Sequence, residues 1–143
     1  NVGKVTDMKG MFTSAVSFNQ DLSKWDVGQV TDMKMMFDGV TSFNQDLSKW
    51  NVGKVTDMQG MFDQASAFNQ DLSIWNVGQV ANMKMMFRQA TSFRQEICGE
   101  AWVNSKANKM DMFLNSPGRI SCDRFQPQST TDLKAAVDTC LGH

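Results

Sequence analysis

Few side chains in this sequence have the chemistry for nucleophilic catalysis. The 143-residue chain has three cysteines, Cys98, Cys122 and Cys140, and its one histidine is His143, the last residue. A catalytic thiol needs a histidine or another base held beside it, and a terminal histidine is expected to be mobile. The sequence also has no nucleophile elbow and no glycine-rich phosphate loop. We therefore expect a protein that is not an enzyme and that binds no cofactor.

Metal binding is the other chemistry that these residue types allow. The cysteines lack the C-x-x-C spacing of zinc ligands. Methionine thioethers suit Cu(I), but Met33, Met35 and Met36 have no cysteine or histidine nearby in the sequence and are predicted to fill the core. Two sets of aspartates recur every 25 residues: Asp7, Asp32 and Asp57, and Asp21, Asp46 and Asp71. Stacked carboxylates attract Ca²⁺. Turn and helix-end roles explain both sets without a metal, so no metal site is predicted.

The positions of these residues follow an internal repeat. From Leu47 the apolar residues form the figure L-x-x-W-x-V-x-x-V-x-x-M, which also begins at Leu22 and Leu72, with an incomplete copy at Val2. A fixed period of this size predicts units that stack and share one core. We assign four 25-residue repeats to residues 1–98, beginning at positions 1, 26, 51 and 76, and a degenerate fifth repeat with a C-terminal cap to residues 99–143.

Each repeat is predicted to contain a short strand followed by a short helix. Residues 48–52 alternate inward and outward, which favours a strand. Thr56 can cap a helix whose apolar stripe has the spacing i, i+3, i+4 and i+7. The stripe consists of Met58, Met61, Phe62 and Ala65. A final helix from about residue 131 would cap the array. The predicted fold class is a right-handed α/β repeat solenoid of short parallel strands and short helices with a C-terminal helical cap.

The repeat figure is similar to the leucine-rich-repeat consensus, in the variant whose ninth position is Cys or Val. The longer phrase W-[ND]-V-G-x-V-T-D-M-x-x-M-F-x-x-A-x-x-F-N-Q-D-L-S resembles the BspA-like family of surface proteins over residues 1–98. This resemblance implies a leucine-rich-repeat-like coil on an extracellular or cell-surface protein that takes part in adhesion and protein binding.

Cys98 and Cys122 lie about one predicted coil apart. Neighbouring coils would stack roughly 4.8 Å apart, within reach of a disulfide if the two side chains converge. Three buried thiols are the alternative. The surface localisation implied by the resemblance favours the Cys98–Cys122 bridge, because disulfides persist in oxidising compartments.

Stacking places equivalent polar residues in columns. Three asparagines and four glutamines form two such columns, and we predict that their amides bond the backbone and one another along the stack. These residues are Asn19, Asn44 and Asn69, and Gln20, Gln45, Gln70 and Gln95.

The exposed side of the predicted strands differs most from repeat to repeat and is the predicted partner-binding surface. It comprises Ser23, Lys24, Asp26, Gln29, Ser48, Lys49, Asn51, Lys54, Ser73, Ile74, Asn76 and Gln79. The expected ligand is a protein or a glycan. A net charge of −1 gives no basic footprint for nucleic acid, and no stretch is long and apolar enough for a membrane span. A merely solvated polar face remains the alternative interpretation of these residues.

Two functions stay open at this point. One is a non-catalytic protein-binding or adhesion module, and the other is a structural subunit that stacks through its repeat ends in a larger assembly. Residues 1–18 carry no residues that would block an exposed strand edge, so we expect more repeats, a missing cap or another molecule to lie against this end in the native state. For the 143-residue chain alone, we expect self-association or a partner at this uncapped end.

Overall fold

A computed structural model describes residues 1–123 of the chain. Its regular elements are two short strands, β1 (Glu96–Ile97) and β2 (Arg119–Ile120), with one helix between them, α1 (Glu100–Val103). β1 and β2 form a parallel two-stranded sheet in which Glu96 lies opposite Arg119 and Ile97 opposite Ile120. Almost all other described residues lie in turns, isolated bridges and irregular structure. None of the helices found in this part of the chain is long and apolar enough to cross a membrane.

The predicted α/β repeat solenoid is therefore wrong. Most of the described chain is loop, and its only sheet has two strands of two residues each. Ser48 and Lys49 form a turn where a strand was expected, and residues 59–64 form turns where a helix was expected. The strand-and-helix unit of a leucine-rich repeat is thus absent from repeats one to three. The predicted terminal helix from residue 131 lies outside the described residues.

The apolar stripe of the third repeat is built from short turns instead of a helix. The Met61 N–H donates to Met58 O, and the Ala65 N–H donates to Phe62 O, each three residues back instead of the four of an α-helix. Gly60 has a φ of 59°, a left-handed conformation that interrupts any helix. All four stripe residues are nevertheless buried. The periodicity identified the core residues correctly but not the backbone conformation.

Backbone hydrogen bonds join each repeat to the next, and four of them run in one direction. The N–H groups of the earlier repeat donate to carbonyl oxygens of the later one. Between the first two repeats these bonds are Met8 N to Asp32 O (2.9 Å), Gly10 N to Lys34 O (2.9 Å), Phe12 N to Met36 O (3.0 Å) and Ser14 N to Asp38 O (2.8 Å). Equivalent bonds recur at the next three junctions, the last of which uses the carbonyls of residues 108–114. The pairing between repeats therefore lies in residues 6–14 and their equivalents.

Aromatic rings form the core of this array. Phenylalanines at equivalent positions stack with ring centroids 5.4–5.5 Å apart in one ladder and 5.8–6.0 Å apart in another. The ladders are Phe12, Phe37, Phe62, Phe87 and Phe113, and Phe18, Phe43, Phe68 and Phe93. Beside them, the Trp50 indole N–H donates to Leu22 O of the preceding repeat at 2.9 Å, and the Trp75 indole makes the same bond to Leu47 O. Both the packing and the polar satisfaction of the core thus depend on neighbouring repeats.

The predicted amide columns are confirmed. Asn44 Oδ1 accepts from the backbone N–H of Asn69 at 2.9 Å and from Gln70 Nε2 at 2.9 Å. The same two bonds are made one repeat earlier, where Asn19 Oδ1 accepts from Asn44 and Gln45. These side chains extend the backbone pairing between repeats.

Replacing Trp50 by alanine should lower the free energy of unfolding by about 3–5 kcal/mol. The change empties a buried site and leaves Leu22 O without its indole donor. Trp25→Ala is the matched control, because Trp25 is only partly buried and should cost clearly less. Urea unfolding followed by circular dichroism measures both. A Trp50→Ala cost under about 1 kcal/mol would contradict the packing described here.

Candidate functional site

The twelve predicted binding residues lie in turns or, for Asp26, Asn51 and Asn76, directly before them, and we call this set the turn surface. In each repeat one turn contains positions 23–24 and the next contains positions 28–29, or their equivalents 25 and 50 residues later. The three serines are half-buried, and the other nine residues are exposed. The description of this surface as the face of a sheet is wrong, because the backbone pairing between repeats runs through residues 6–14 instead. The nine residues are exposed all the same, although they lie on turns and not on a sheet.

Side-chain hydrogen bonds fix the first turn of each repeat. Asp21 Oδ1 accepts from the Ser23 N–H at 2.8 Å, and Asp46 Oδ1 accepts from the Ser48 N–H at 2.8 Å. These backbone hydrogen bonds are the main reason that the pKa values of both carboxyls lie below their ordinary value, with smaller contributions from the serine hydroxyls and nearby lysines. Asp71 makes the same bond to Ser73. Each aspartate thus closes a turn on itself.

The second turn of each repeat is closed in the same way by an aspartate or an asparagine. Asp26 Oδ1 accepts from the Gly28 N–H at 3.0 Å, and Asn51 Oδ1 accepts from the Gly53 N–H at 3.0 Å. One cross-repeat bond joins this part of the surface, since Lys54 Nζ donates to the Gln29 side chain at 2.8 Å. The backbone under the surface is therefore held by local bonds in every repeat.

The surface is not uniform along the array. The column of Lys24 and Lys49 continues with Ile74, which is 77% exposed. A shallow depression of about 420 Å³ lies beside it, lined by Asp46, Ser48, Gln70, Asp71, Ser73 and Ile74. A second depression of about 460 Å³ adjoins Asn76 and continues along α1 to Lys106. The turn surface therefore combines a basic part, an apolar side chain and two concave areas.

In the two aspartate columns considered for calcium, the carboxylates accept hydrogen bonds from the backbone of their own turns. Asp32 Oδ1 accepts from the Lys34 N–H at 2.9 Å, and Asp57 Oδ1 accepts from the Gln59 N–H at 2.9 Å, as Asp21 and Asp46 do in their own turns. Within residues 1–123, no three His, Cys, Asp or Glu side chains come together in a group that could hold a metal ion.

A buried charged cluster was not predicted from the sequence. Asp63 is 2% exposed and forms a two-bond ion pair with Arg88, from Nε to Oδ1 at 3.0 Å and from Nη2 to Oδ2 at 2.6 Å. Asp38 occupies the equivalent position one repeat earlier, and its buried Oδ1 has no hydrogen-bond partner in the described part of the chain. The sequence does hold a sign of this pair, because the residue at this position of the repeat changes from Thr13 to two aspartates and then to an arginine.

The cysteines of the last described segment are covalently joined. Cys98 and Cys122 form a disulfide with their Cα atoms 4.8 Å apart. The bridge lies next to the β1–β2 pair, where Arg119 also contacts Glu96 at 3.3 Å. Cys140 and His143 lie outside the described residues.

The array of turn repeats with one exposed polar surface defines a repeat protein. Residues 6–123 match the model of a family described as "Mycoplasma protein of unknown function, DUF285". The chain belongs to this family. No curated protein and no solved structure matches the chain.

Peptide mapping without reduction should yield a linked peptide pair that contains Cys98 and Cys122. Cys122→Ser should lower stability by about 3 kcal/mol, because the bridge closes a loop with a sequence separation of 24 residues. Cys140→Ser is the control and should leave the linked pair unchanged. Recovery of a peptide that joins Cys140 to either of the other two would contradict the assignment.

Asp38→Asn should stabilise the protein by about 1 kcal/mol at pH 7, and the gain should disappear on acidification. Burial raises the pKa of the Asp38 carboxyl above its ordinary value of 3.8, and the Asp63 carboxylate adds to the rise against the opposing effect of Arg88. A raised native pKa means that stability falls as pH rises from that ordinary value through the native one. Below pH 3.8 Asp38 is neutral in both states, so the variant has no advantage there.

Thermal unfolding between about pH 3 and pH 7 measures this difference. Asp123→Asn, at an exposed position, is the matched control and should show no such trend. A gain that is the same at every pH would show that the Asp38 charge is not its cause.

Proposed function

We propose that this chain is a non-catalytic protein-binding or adhesion module of an extracellular or cell-surface protein, and that the turn surface contacts its ligand, a protein or a glycan. The observation that carries the proposal is the contrast between the two sides of each repeat. The columns of the apolar core stay apolar in every repeat, whereas the exposed column of the first turn changes from lysine to isoleucine. Ile74, which is 77% exposed, adds an apolar side chain to this otherwise polar surface, next to a depression lined by Asp46, Gln70 and Asp71.

Preorganisation supports a binding role for this surface. Binding costs free energy when loops must be ordered at the interface. Here the turns are already fixed by Asp or Asn side chains that bond the backbone two residues further on. The ordering cost is met during folding, so contacts made by the exposed side chains contribute more fully to affinity.

The composition of the surface indicates the kind of ligand. Lys24 and Lys49 offer positive charge, the neighbouring aspartate and asparagine side chains offer acceptors, and Ile74 offers an apolar contact beside a shallow depression. Protein-binding surfaces contain both polar and apolar area, as this surface does. The depressions also allow contact with a glycan, whose hydroxyl groups pair with serine and carboxylate oxygens.

The family supports the surface localisation. The family that the chain belongs to is associated with BspA-like surface repeat proteins. A disulfide between Cys98 and Cys122 is consistent with an oxidising compartment. The proposed module is treated as non-catalytic because the sequence offers no histidine within the repeats to act as a base.

The test is a pair of matched charge reversals. Native purification identifies the molecule that remains bound to the wild-type chain, and its affinity is then measured for purified variants by biolayer interferometry. Lys24→Glu with Lys49→Glu should weaken binding by about tenfold or more, because both reversals fall on the turn surface. Lys9→Glu with Arg94→Glu is the control, with the same change in charge at two exposed positions outside the set and outside both depressions.

Equal weakening by both pairs would show that only net charge matters. Unchanged binding by the Lys24 and Lys49 pair, and also by Asp26→Ala with Asn51→Ala, would mean that the turn surface is merely solvated. Circular dichroism should show the same fold for every variant, so that loss of binding is not loss of structure.

A further inference from the structure

Lysines of the turn surface lie near the aspartates of the first two repeats. Backbone hydrogen bonds are the first cause of the low pKa of the Asp21 and Asp46 carboxyls, and the serine hydroxyls come second. Nearby lysines lower both pKa values further. Lys24 and Lys49 both act on Asp21, and Lys49 acts on Asp46. Each of these carboxylates therefore has a positive charge of the same surface beside it.

The third repeat lacks this lysine. The equivalent residue is Ile74, and the residue 25 positions later is Gly99. Asp71 therefore has no lysine of this column in its own repeat or at the equivalent position of the next one. Asp46 likewise has an isoleucine where Asp21 has its second lysine. The positive charge that the column offers to the aspartates thus decreases along the array.

The depression of about 420 Å³ lies where the column changes, and we call it the Ile74 depression. Both the Asp46 and the Asp71 carboxylates line it, and both residues are exposed. None of its lining residues is basic; they are Asp46, Ser48, Gln70, Asp71, Ser73 and Ile74. An aspartate occupies this turn in each of the first three repeats, so the carboxylates alone do not distinguish the place. What distinguishes it is an apolar wall in the position of a lysine.

The polar groups of the Ile74 depression are mainly hydrogen-bond acceptors. Its two ionised carboxylates can only accept. Gln70 Nε2 donates to Asn44 Oδ1 at 2.9 Å and to Asn44 O at 3.3 Å, so the amide oxygen is the part of Gln70 that remains to bond a ligand. Two negative charges and an excess of acceptors are best matched by a cation with several N–H donors. Two carboxylates are too few for Ca²⁺, which takes about 6–8 oxygen ligands.

We propose that the Ile74 depression binds an arginine or lysine side chain of a protein ligand. This inference rests on the proposed function and narrows the ligand of the turn surface to a protein. The cationic group pairs with the Asp46 and Asp71 carboxylates, and the apolar stem of the same side chain packs against Ile74. The ligand thus supplies the positive charge that the chain's own column supplies in the first two repeats.

The rest of the column sets the order of charges in the ligand. Lys49 and Lys24 follow Ile74 at intervals of one repeat, which is about 5 Å for backbones that hydrogen-bond side by side. A protein segment that runs along the column therefore has its basic residue at the Ile74 end and acidic residues towards Lys24. The reversed direction would bring like charges together, so the same pattern fixes the orientation of the ligand.

The experiment follows backbone amides by NMR while the isotope-labelled 143-residue chain is titrated at neutral pH with the peptide acetyl-Gly-Arg-Gly-amide. The amide signals of Ser48, Ser73 and Ile74 should shift and saturate at millimolar peptide, because a single side chain binds weakly. The same peptide with citrulline, a neutral isostere of arginine, is the control ligand and should cause no saturable shift.

Three variants test the part played by the missing lysine. Ile74→Lys restores the column and should weaken binding of the arginine peptide about tenfold or more. Val103→Lys is the matched control, because it adds the same charge at an exposed apolar residue that lines neither depression, and it should leave binding nearly unchanged. Lys49→Ile removes a positive charge near Asp46 and should strengthen binding.

Equal shifts with the citrulline peptide would overturn the proposal, because the positive charge would then play no part. Binding that survives Ile74→Lys, or that Val103→Lys weakens equally, would also overturn it. A failure here is distinguishable from a failure of the proposed function. The Lys24 and Lys49 reversals are measured with the natively purified ligand and replace none of the residues that line the Ile74 depression, whereas this titration uses only the two peptides.

Discussion

The hydrogen bonds that run one way between repeats are the constraint on which the rest of this structure depends. A chain with so few strands and helices must still satisfy its buried backbone groups. Each of the first four repeats does so by donating four N–H groups to the next repeat, and the donor and acceptor positions alternate along residues 7–14 and their equivalents. This pairing fixes the register between repeats. Phenylalanines at equivalent positions then meet as stacked rings, and the indole N–H groups of Trp50 and Trp75 each reach a leucine carbonyl of the repeat before.

The same register places like charges in columns, where they repel each other, and two features of the sequence offset this repulsion. In the exposed columns each carboxylate bonds a backbone N–H two residues further on, as in the pair of Asp46 with Ser48, so its charge is stabilised locally. In the buried column the sequence instead changes to Arg88, which neutralises Asp63 through two hydrogen bonds. Asp38 lies one repeat too far from that arginine for a hydrogen bond, which explains why one of its oxygens has no partner among the described residues.

The sequence predicted the period, the core residues and the amide columns, because these depend on which residues recur. It did not predict the backbone conformation. Buried residues at i, i+3, i+4 and i+7 are typical of a helix, but consecutive turns closed three residues back give the same spacing. The left-handed positions could have distinguished the two, yet glycine occupies them only in part: Gly10 and Gly60 alternate with Met35 and Met85, all with φ between 56° and 65°. Glycine at every such position would have indicated a left-handed turn, but methionine in two of the four repeats gives no such indication. The exposed residues of the turn surface could be found from sequence because exposure follows from polar type, whereas the Asp63–Arg88 pair needed the register.

Stability in such an array is approximately a sum of contributions from neighbouring repeats, so the two ends of the described chain are unequal. The last repeat is held by more than backbone pairing, because the disulfide, the β1–β2 pair and the contact of Arg119 with Glu96 all connect it to the fourth. The first repeat has one neighbour in the structure and no such cross-link, and its Phe12, Phe18 and Trp25 are only partly buried. In the 143-residue chain by itself, local unfolding should therefore begin in the first repeat, because fewer bonds connect it to the rest of the described structure.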